Sequence, residues 1–317
     1  MTDWRPSAPR NALVRRARLL AGIRAFFAAR AVLEIDVPVL GRAGVTDVHI
    51  DNLVVAGAPP GYLQSSPEYF LKRLLAVHPE PVYYLGKAFR AGERGRLHNP
   101  EFTLLEWYRP DWDDRQLMDE VEALLRNLGA AGRAPCPRLD YGTCFRDALG
   151  LDPHTAADNE LREQAAAAAD QPAVRWRDEP RAICLDLLFS LKVEPRLPAG
   201  VVFVSDYPAC QAALARVVHT PDGVPVARRF EVFLNRAELA NGYWELTDAD
   251  EQRRRFAADG ALRAALGKPV RPADERLLAA LAAGLPDCAG VALGVDRLLM
   301  QLLGAGHIRD VLAFAEG

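Results

Sequence analysis

Hydrophobic positions change their spacing several times along the chain, and each change marks an element. In NALVRRARLLAGIRAFFAARA (residues 11–31) a stripe recurs at helical intervals through Leu13, Ala17, Leu20, Ile23 or Arg24, and Phe27, with Asn11 placed to cap the helix. VLEIDVPVL and TDVHIDNLVVA read as strands, and Pro38 puts the first at an edge or interface. YLQSSPEYFLKRLL starts as a strand and turns helical, with Ser66 at the N-cap, Pro67 at the first helical position and Glu68 in the first turn. VYYLGKAFRAG, a basic loop and EFTLLEWYRP make a long hairpin. In its second strand Phe102, Leu104 and Glu106 fall on one face, and Glu101, Thr103, Leu105 and Trp107 on the other. Helices are expected over 114–129, 159–169, 247–266 and 272–284, and strands over 201–208 and 227–234. GVALGVDRLLMQLLGAG passes from a strand through Gly294 into a helix. The pattern is that of one α+β catalytic domain over residues 11–317, with a peripheral helical insertion at about 130–200.

Composition narrows the functional classes. Half of the 317 residues are hydrophobic, enough for a sizeable core, and the net charge of −3 gives no global case for wrapping nucleic acid. No apolar run approaches the roughly 20 residues of a membrane helix. MTDWRPSAPRN has no apolar leader, and the five scattered cysteines include no CxxC pair. A reducing cytoplasm is therefore expected, without a zinc site or a disulfide framework.

Two groups of residues carry candidate chemistry. RRFEVFLNRAELANGYWEL spaces Glu231, Glu238 and Glu245 seven apart. That is helical spacing, but Phe230, Phe233, Tyr243 and Trp244 favour strands and Asn241-Gly242 breaks helices. With Asn235-Arg236 as a two-residue turn, Leu234 faces Ala237, Phe233 faces Glu238 and Val232 faces Leu239, so Glu231 and Glu238 become diagonal neighbours on one face. Two such carboxylates repel unless a hard cation such as Mg²⁺ lies between them, bridging to phosphate. Glu245 falls on the opposite face unless a bulge at Gly242 returns it. The alternative is three solvated edge charges. The second group is Arg90, which ends an apolar strand, and Arg297, which follows Asp296 in GxxxGxDR. Either is commonly a solvated surface residue, but a forked permanent cation also suits phosphoryl oxygens that gain charge during nucleotide activation. Glu68 by itself reads as a helix-dipole charge.

Taken together, these stretches resemble the catalytic core of a class II aminoacyl-tRNA synthetase. FFAARAVLEIDVPVL resembles the first class motif, AFRAGERGRLHNPEFTLLEWY the second and GVALGVDRLL the third, while ELANGYWELTDADEQ and SSPEYFLKRLL are similar to the lysyl branch. The resemblance runs from about residue 11 to 315 and implies an antiparallel sheet flanked by helices, in a homodimer. It also implies that Arg90 and Arg297 are catalytic. ATP would be held by Arg90, His98, Asn99, Phe102, Glu238, Leu239, Gly294 and Arg297, with Phe102 and Arg297 sandwiching adenine. Glu231 and Glu238 would hold Mg²⁺. Ser66, Pro67, Glu68, Tyr108, Asn241, Glu245 and Ala292 would surround a substrate with two ammonium groups.

Three departures from the lysyl pattern sharpen this. The first motif starts about ten residues in, so no anticodon-binding domain is expected before it. Ala292 replaces the middle glycine of the third motif, and its methyl group favours a substrate with a shifted amine. Gly92 stands where the second motif has an adenine-contacting glutamate, with Glu93 next to it. The first two departures resemble truncated paralogues of lysyl-tRNA synthetase. That resemblance implies activation of (R)-β-lysine with ATP and its transfer to a lysine side chain of elongation factor P, with tRNA not the acceptor and no membrane involved. The alternatives are an enzyme that charges tRNA or a small amine, and a catalytically dead regulatory paralogue.

Overall fold

The first helix begins at Arg10, one residue before the expected cap. Pro9 holds the N-cap in an extended conformation, so Asn11 lies inside the helix and no side chain caps it. In this computed structural model residues 4–315 are described; residues 1–3 of the N-terminal stretch and 316–317 of the expected domain lie outside the described residues. In chain order the elements are α1 (Arg10–Ala28), β1 (Leu33–Glu34), β2 (Leu40–Gly41), β3 (Val54–Val55), β4 (Gly61–Leu63), α2 (Glu68–Leu75), β5 (Val82–Phe89), β6 (Glu101–Pro110) and α3 (Asp114–Asn127). Then come β7 (Arg138–Asp140), α4 (Tyr141–Leu149), α5 (Asp158–Ala168), α6 (Arg181–Leu188), β8 (Val201–Pro208), β9 (Val217–His219), β10 (Pro225–Leu234) and β11 (Ala237–Trp244). The chain ends with α7 (Ala249–Ala265), α8 (Glu275–Gly284), β12 (Cys288–Gly294) and α9 (Val295–Leu303). These elements form two compact units, Met1–Gly132 with Leu246–Gly317, and Arg133–Glu245.

In the first unit β5 and β6 pair antiparallel from Val82↔Tyr108 to Phe89↔Glu101, and β12 adds antiparallel to β6 from Cys288↔Pro110 to Gly294↔Leu104. The short β1 joins β5 in parallel, so the sheet is mixed and not purely antiparallel. A second small sheet is ordered β2-β4-β3. The odd-numbered face of β6 packs on helices. Phe27 of α1 stacks on Tyr83 at 4.5 Å and meets Trp107 edge-on at 5.3 Å. Such pairs add ~0.5–1.5 kcal/mol to the burial itself. Glu120 of α3 accepts from Trp107 Nε1 at 3.0 Å and from Arg109 Nε at 2.8 Å, so this buried carboxylate is fully engaged.

The buried stripe of α1 runs through Ala12, Leu19, Ile23, Phe26 and Phe27, rotated from the expected Leu13–Ala17–Leu20. An arginine on the core side hid it in the sequence. Arg16 points inward, 2.6 Å from both Thr103 Oγ1 and Asp296 Oδ1, while the Thr103 amide donates to Asp296 Oδ2 at 2.7 Å. This triad ties α1, β6 and α9 together.

Two expected strands shrink. Residues 32–40 give only β1 and the first residue of β2, and 46–56 give only β3. The backbone of the intervening loop is satisfied by side chains, not by a ladder. Asn52 Oδ1 accepts from Val45 N at 2.9 Å, and Asp47 Oδ1 accepts from His49 N at 2.7 Å. The fully buried Arg263 of α7 donates to Asp47 O at 2.7 Å and Ile50 O at 3.2 Å, and Lys268 donates to Val48 O at 2.6 Å.

In the second unit β10 pairs antiparallel with β8, β11 and β9, and β7 joins β8 in parallel. Helices α4, α5 and α6, from the stretch read as a peripheral insertion, supply much of this unit's core. Tyr141, Phe145, Leu161, Leu185 and Leu188 are fully buried in one cluster with Val202, Val204 and Phe233.

Candidate active site

One face of β6 in the first unit gathers a cluster of polar and ionisable side chains. By strand alternation Phe102, Glu106 and Tyr108 share it. Ala292 and Gly290, which pair with Glu106 and Tyr108 from β12, lie on the same face and keep its floor low. Glu106 is buried and accepts from Ser66 Oγ at 2.7 Å and Tyr108 OH at 2.8 Å. Burial pushes its carboxyl up to about 8; the Glu68 charge adds to this, and the two hydroxyls and the Lys72 ammonium oppose it. The helix α2 starts one residue later than the sequence suggests, at Glu68, and no side chain caps it; Ser66 Oγ instead accepts the Glu68 amide at 3.0 Å from one residue before the N-cap while donating to Glu106. Pro67 takes the N-cap position. Glu68 accepts from the buried Lys72 ammonium at 2.6 Å. Two carboxylates, one phenol and one hydroxyl thus converge, and the raised Glu106 carboxyl would be relieved by an incoming ammonium group.

Arg90 follows β5 and its amide donates to Pro100 O at 2.9 Å, which fixes the base of the loop. Its guanidinium lies 5.2 Å from the Phe102 ring centroid and 3.5 Å from Glu93, the residue that neighbours the expected glutamate position. Arg90 Nε is buried with no hydrogen-bond partner among the described residues. A buried unmatched donor costs ~1–3 kcal/mol and favours an anionic ligand. Arg297 Nη2 lies 2.6 Å from His98 Nε2, and its Nε approaches Leu97 O at 3.4 Å. Gly294 is the N-cap of the helix that carries Arg297. Asn99 donates its side-chain amide to Glu101 O at 2.7 Å, so that donor also closes the loop.

In the second unit the β10–β11 hairpin forms around Asn235 and Arg236, both at positive φ (50° and 69°). The pair lacks the glycine such turns prefer. Asn235 compensates by bonding Gly200 in both directions at 2.9 Å, from its amide to Gly200 O and from Gly200 N to its side chain. Leu234↔Ala237 and Phe233↔Glu238 pair as expected, but Val232 pairs with Ala240, so Leu239 is the extra residue of a bulge. The expected Val232–Leu239 pair does not form. Because the bulge is at Leu239 and not at Gly242, Glu231, Glu238, Asn241 and Glu245 come onto one face by alternation. Arg229 Nη2 lies 2.5 Å from Glu231 Oε1, donates through Nη1 to Gln211 O at 2.9 Å and covers the Tyr207 ring at 4.6 Å. Burial pushes the Glu231 carboxyl up to about 7; Arg229 opposes this and the like charge of Glu238 adds to it. The buried side-chain oxygen of Asn241 accepts no hydrogen bond among the described residues, and Glu245 is fully buried.

A magnesium ion fits this face. Its donors are hard carboxylate oxygens, and the repulsion between Glu231 and Glu238 is the kind a cation removes. Among the described residues no group of three or more His, Cys, Asp or Glu side chains is placed to hold a metal ion by itself.

Within the first unit the structure groups Ser66, Pro67, Glu68, Tyr108 and Ala292 at the carboxylate pocket, Arg90 with Phe102, and His98 with Arg297. Within the second it groups Glu231, Glu238, Leu239, Asn241 and Glu245. Three contributors were missed as site residues: Glu106, Lys72 and Arg229. Glu106 had a legible signal, a carboxylate on the Phe102 face of an otherwise apolar strand. Lys72 and Arg229 had none, because lysines and arginines on amphipathic elements read as solvated.

A family model described as "tRNA synthetases class II (D, K and N)" matches residues 1–317. Among curated relatives, a protein named elongation factor P–(R)-beta-lysine ligase from Proteus mirabilis (strain HI4320) is 46% identical over 322 residues, covering 99% of this chain and 98% of its own. The protein of that name from Photorhabdus laumondii subsp. laumondii is 46% identical over 321 residues, covering 99% and 97%. Another from Salmonella enteritidis PT4 is 47% identical over 319 residues, covering 98% and 97%.

Proposed function

We propose, from the premise that this chain belongs to the class II tRNA synthetases of the D, K and N type, that it activates (R)-β-lysine with ATP and transfers it to a lysine side chain of elongation factor P. The observation that carries this reading is the 46–47% identity, over nearly the full length of both partners, to relatives whose printed name states that ligation. The buried Glu106–Glu68–Tyr108 pocket supports it, since a diamine offers the cations those carboxylates call for. The test is mass spectrometry of purified elongation factor P after incubation with the protein, ATP and either (R)-β-lysine or α-lysine. A mass gain of one lysyl group, larger with the β-isomer, is expected, and no gain with either isomer refutes the reading.

In the first half-reaction a substrate carboxylate oxygen attacks the α-phosphorus of ATP. The new O–P bond forms as the bond to the β-phosphate bridge breaks, and pyrophosphate leaves. Arg90 holds the α-phosphate and the substrate carboxylate, Arg297 and Phe102 enclose the adenine, His98 and Asn99 serve the phosphates, and Gly294 lets the backbone approach the nucleotide. Glu231 and Glu238 would hold Mg²⁺, which when bound neutralises phosphate charge; Glu238 and Leu239 also contact ATP. For the two substrate ammonium groups the first unit offers Glu68 and Tyr108, with Glu106 beside them, and the second unit offers Asn241 and Glu245; Ser66 and Pro67 set the position of Glu68, and the Ala292 methyl occupies the space an α-ammonium would need. In the second half-reaction an uncharged lysine amine of the acceptor protein attacks the carbonyl carbon of the mixed anhydride. An amide forms, AMP leaves with the bridging oxygen, and the amine loses its proton. Positioning and electrostatics suffice; no covalent enzyme intermediate is needed.

The protein works as a cytoplasmic homodimer, with tRNA not its acceptor. The exposed Leu33, Leu40 and Val54 of the first unit supply apolar surface for a second copy, and the acidic net charge of −3 disfavours tRNA. Among the described residues no helix is long and apolar enough to cross a membrane.

A further inference from the structure

Glu231 is held from behind by a chain of contacts that begins on α6, in the helical stretch to which the proposed function gives no role. Asp186 of α6 accepts from Gln211 Nε2 at 2.6 Å through Oδ1. The Gln211 carbonyl in turn accepts from Arg229 Nη1 at 2.9 Å, and Arg229 Nη2 reaches Glu231 Oε1 at 2.5 Å. The Arg229 guanidinium also lies over the Tyr207 ring, 4.6 Å from its centroid. Tyr207, Gln211 and Glu231 are buried, and all five residues belong to the second unit.

An arginine beside a metal carboxylate can act in two opposite ways. Left to swing, it grips both oxygens with its fork and competes with the metal. Anchored elsewhere, it orients the carboxylate and leaves one oxygen for the ion. The anchoring decides between them here. A guanidinium is planar and permanently charged, so fixing Nη1 on Gln211 O and the plane on Tyr207 fixes the direction in which Nη2 points. Its contact with Glu231 is end-on, through Oε1, which holds the carboxylate's rotation and leaves Oε2 to a hard cation shared with Glu238. The same positive charge offsets the repulsion between the two glutamates.

We propose that Arg229 is a positioning residue for Glu231, oriented by Tyr207 and Gln211 and, through Gln211, by Asp186 of α6, and that it raises the affinity of the Glu231–Glu238 face for a divalent cation. The inference rests on the reading that these two glutamates hold Mg²⁺.

Mn²⁺ titrated into the full-length protein, with the free ion followed by its paramagnetic resonance, tests it on wild type, Glu231→Gln, Arg229→Met, Arg229→Lys and Asp186→Ala. Glu231→Gln is expected to abolish the site and so to identify its signal. Arg229→Met is expected to weaken Mn²⁺ about tenfold, the scale on which residues behind a metal ligand act, and Arg229→Lys, which keeps the charge without the fork, about threefold. Asp186 is exposed, and Asp186→Ala should also cost about threefold; no change there strikes α6 from the chain. In ATP–pyrophosphate exchange the Mg²⁺ concentration for half-maximal rate should rise about tenfold in Arg229→Met while the KM of the amino acid at saturating Mg²⁺ stays within twofold. A merely structural loss would instead lower the rate at every Mg²⁺ concentration. Mn²⁺ affinity within twofold of wild type in Arg229→Met, or tighter, overturns the proposal. If that variant lacks the wild-type circular dichroism spectrum, Arg229→Lys decides by the same criterion. Unaltered Mn²⁺ binding in Glu231→Gln would refute the metal assignment itself, and the proposal with it. A protein that binds Mn²⁺ as expected but forms no adenylate would refute the proposed function and leave the role of Arg229 standing.

Discussion

Replacing Glu106 by glutamine removes the ionisable group from the middle of the β6 face while keeping its shape; the amide oxygen can accept from one of the Ser66 and Tyr108 hydroxyls, and the amide NH2 donates to the other. In the folded protein its carboxyl rises from 4.5 to about 8, chiefly through burial. A pK unit corresponds to about 1.36 kcal/mol, so ionising Glu106 in the free protein costs on the order of 4–5 kcal/mol. The sign follows from the direction of the shift. A group whose pKa is raised by folding contributes stability that is fully present below its unfolded value and lost as pH rises through the folded one. Between pH 6 and 9 the wild type should therefore lose about 2–3 kcal/mol through this residue, and Glu106→Gln should lose none of it. Urea denaturation at several pH values measures this as the difference between the two slopes, which cancels groups common to both proteins. Binding provides a second readout. An ammonium group beside Glu106 draws its pKa down, so amino-acid binding near pH 7 should release a proton in the wild type and not in the variant, seen as a dependence of the titration heat on buffer ionisation enthalpy. Parallel stability profiles for the two proteins, together with equal proton release, would refute the assignment of Glu106 as a neutral acid awaiting a cation.

Further outcomes follow from the same geometry. Arg90→Ala should slow ATP–pyrophosphate exchange by ~10²–10³, since it removes charge stabilisation at the α-phosphate; near-normal exchange would take Arg90 out of the mechanism. Arg16→Met leaves Asp296 buried without its cation and should lower stability by about 3–5 kcal/mol in thermal or urea unfolding, with Asp296→Asn in that background recovering most of the loss. Ala292→Gly removes the methyl beside Glu106 on the paired strand and should raise the adenylation of α-lysine relative to (R)-β-lysine on the order of tenfold, measured by exchange with each isomer. An unchanged ratio would show that the floor of the pocket does not read the amine position.

Much of the fold was legible because the sequence repeats its physical signal locally. The alternation in EFTLLEWY placed Phe102 and Glu106 on one face and Trp107 on the other, and β6 keeps that division because its odd face packs on Phe27 and α3. The hairpin turn at Asn235-Arg236 and the first two pairs of its register were also legible, since a two-residue turn fixes where strand pairing begins. Where charge sits inside the unit, the reading failed. Arg16 rotated the apparent stripe of α1, and Arg263 and Lys268 hold as a loop the residues whose alternation suggested a strand.

The candidate site divides along the same line. The residue types and their order in the motif-like stretches were determined by the sequence itself, because short-range spacing decides which side chains share a strand face or a helix turn. The bulge at Leu239, which turns Asn241 and Glu245 onto the face of Glu231, was decided only by tertiary structure, as were the burial that lifts Glu106 and Glu231 and the chain of contacts from Asp186 through Gln211 and Arg229 to Glu231. Burial and register depend on which distant segments exclude water and satisfy the backbone, and no local pattern encodes that.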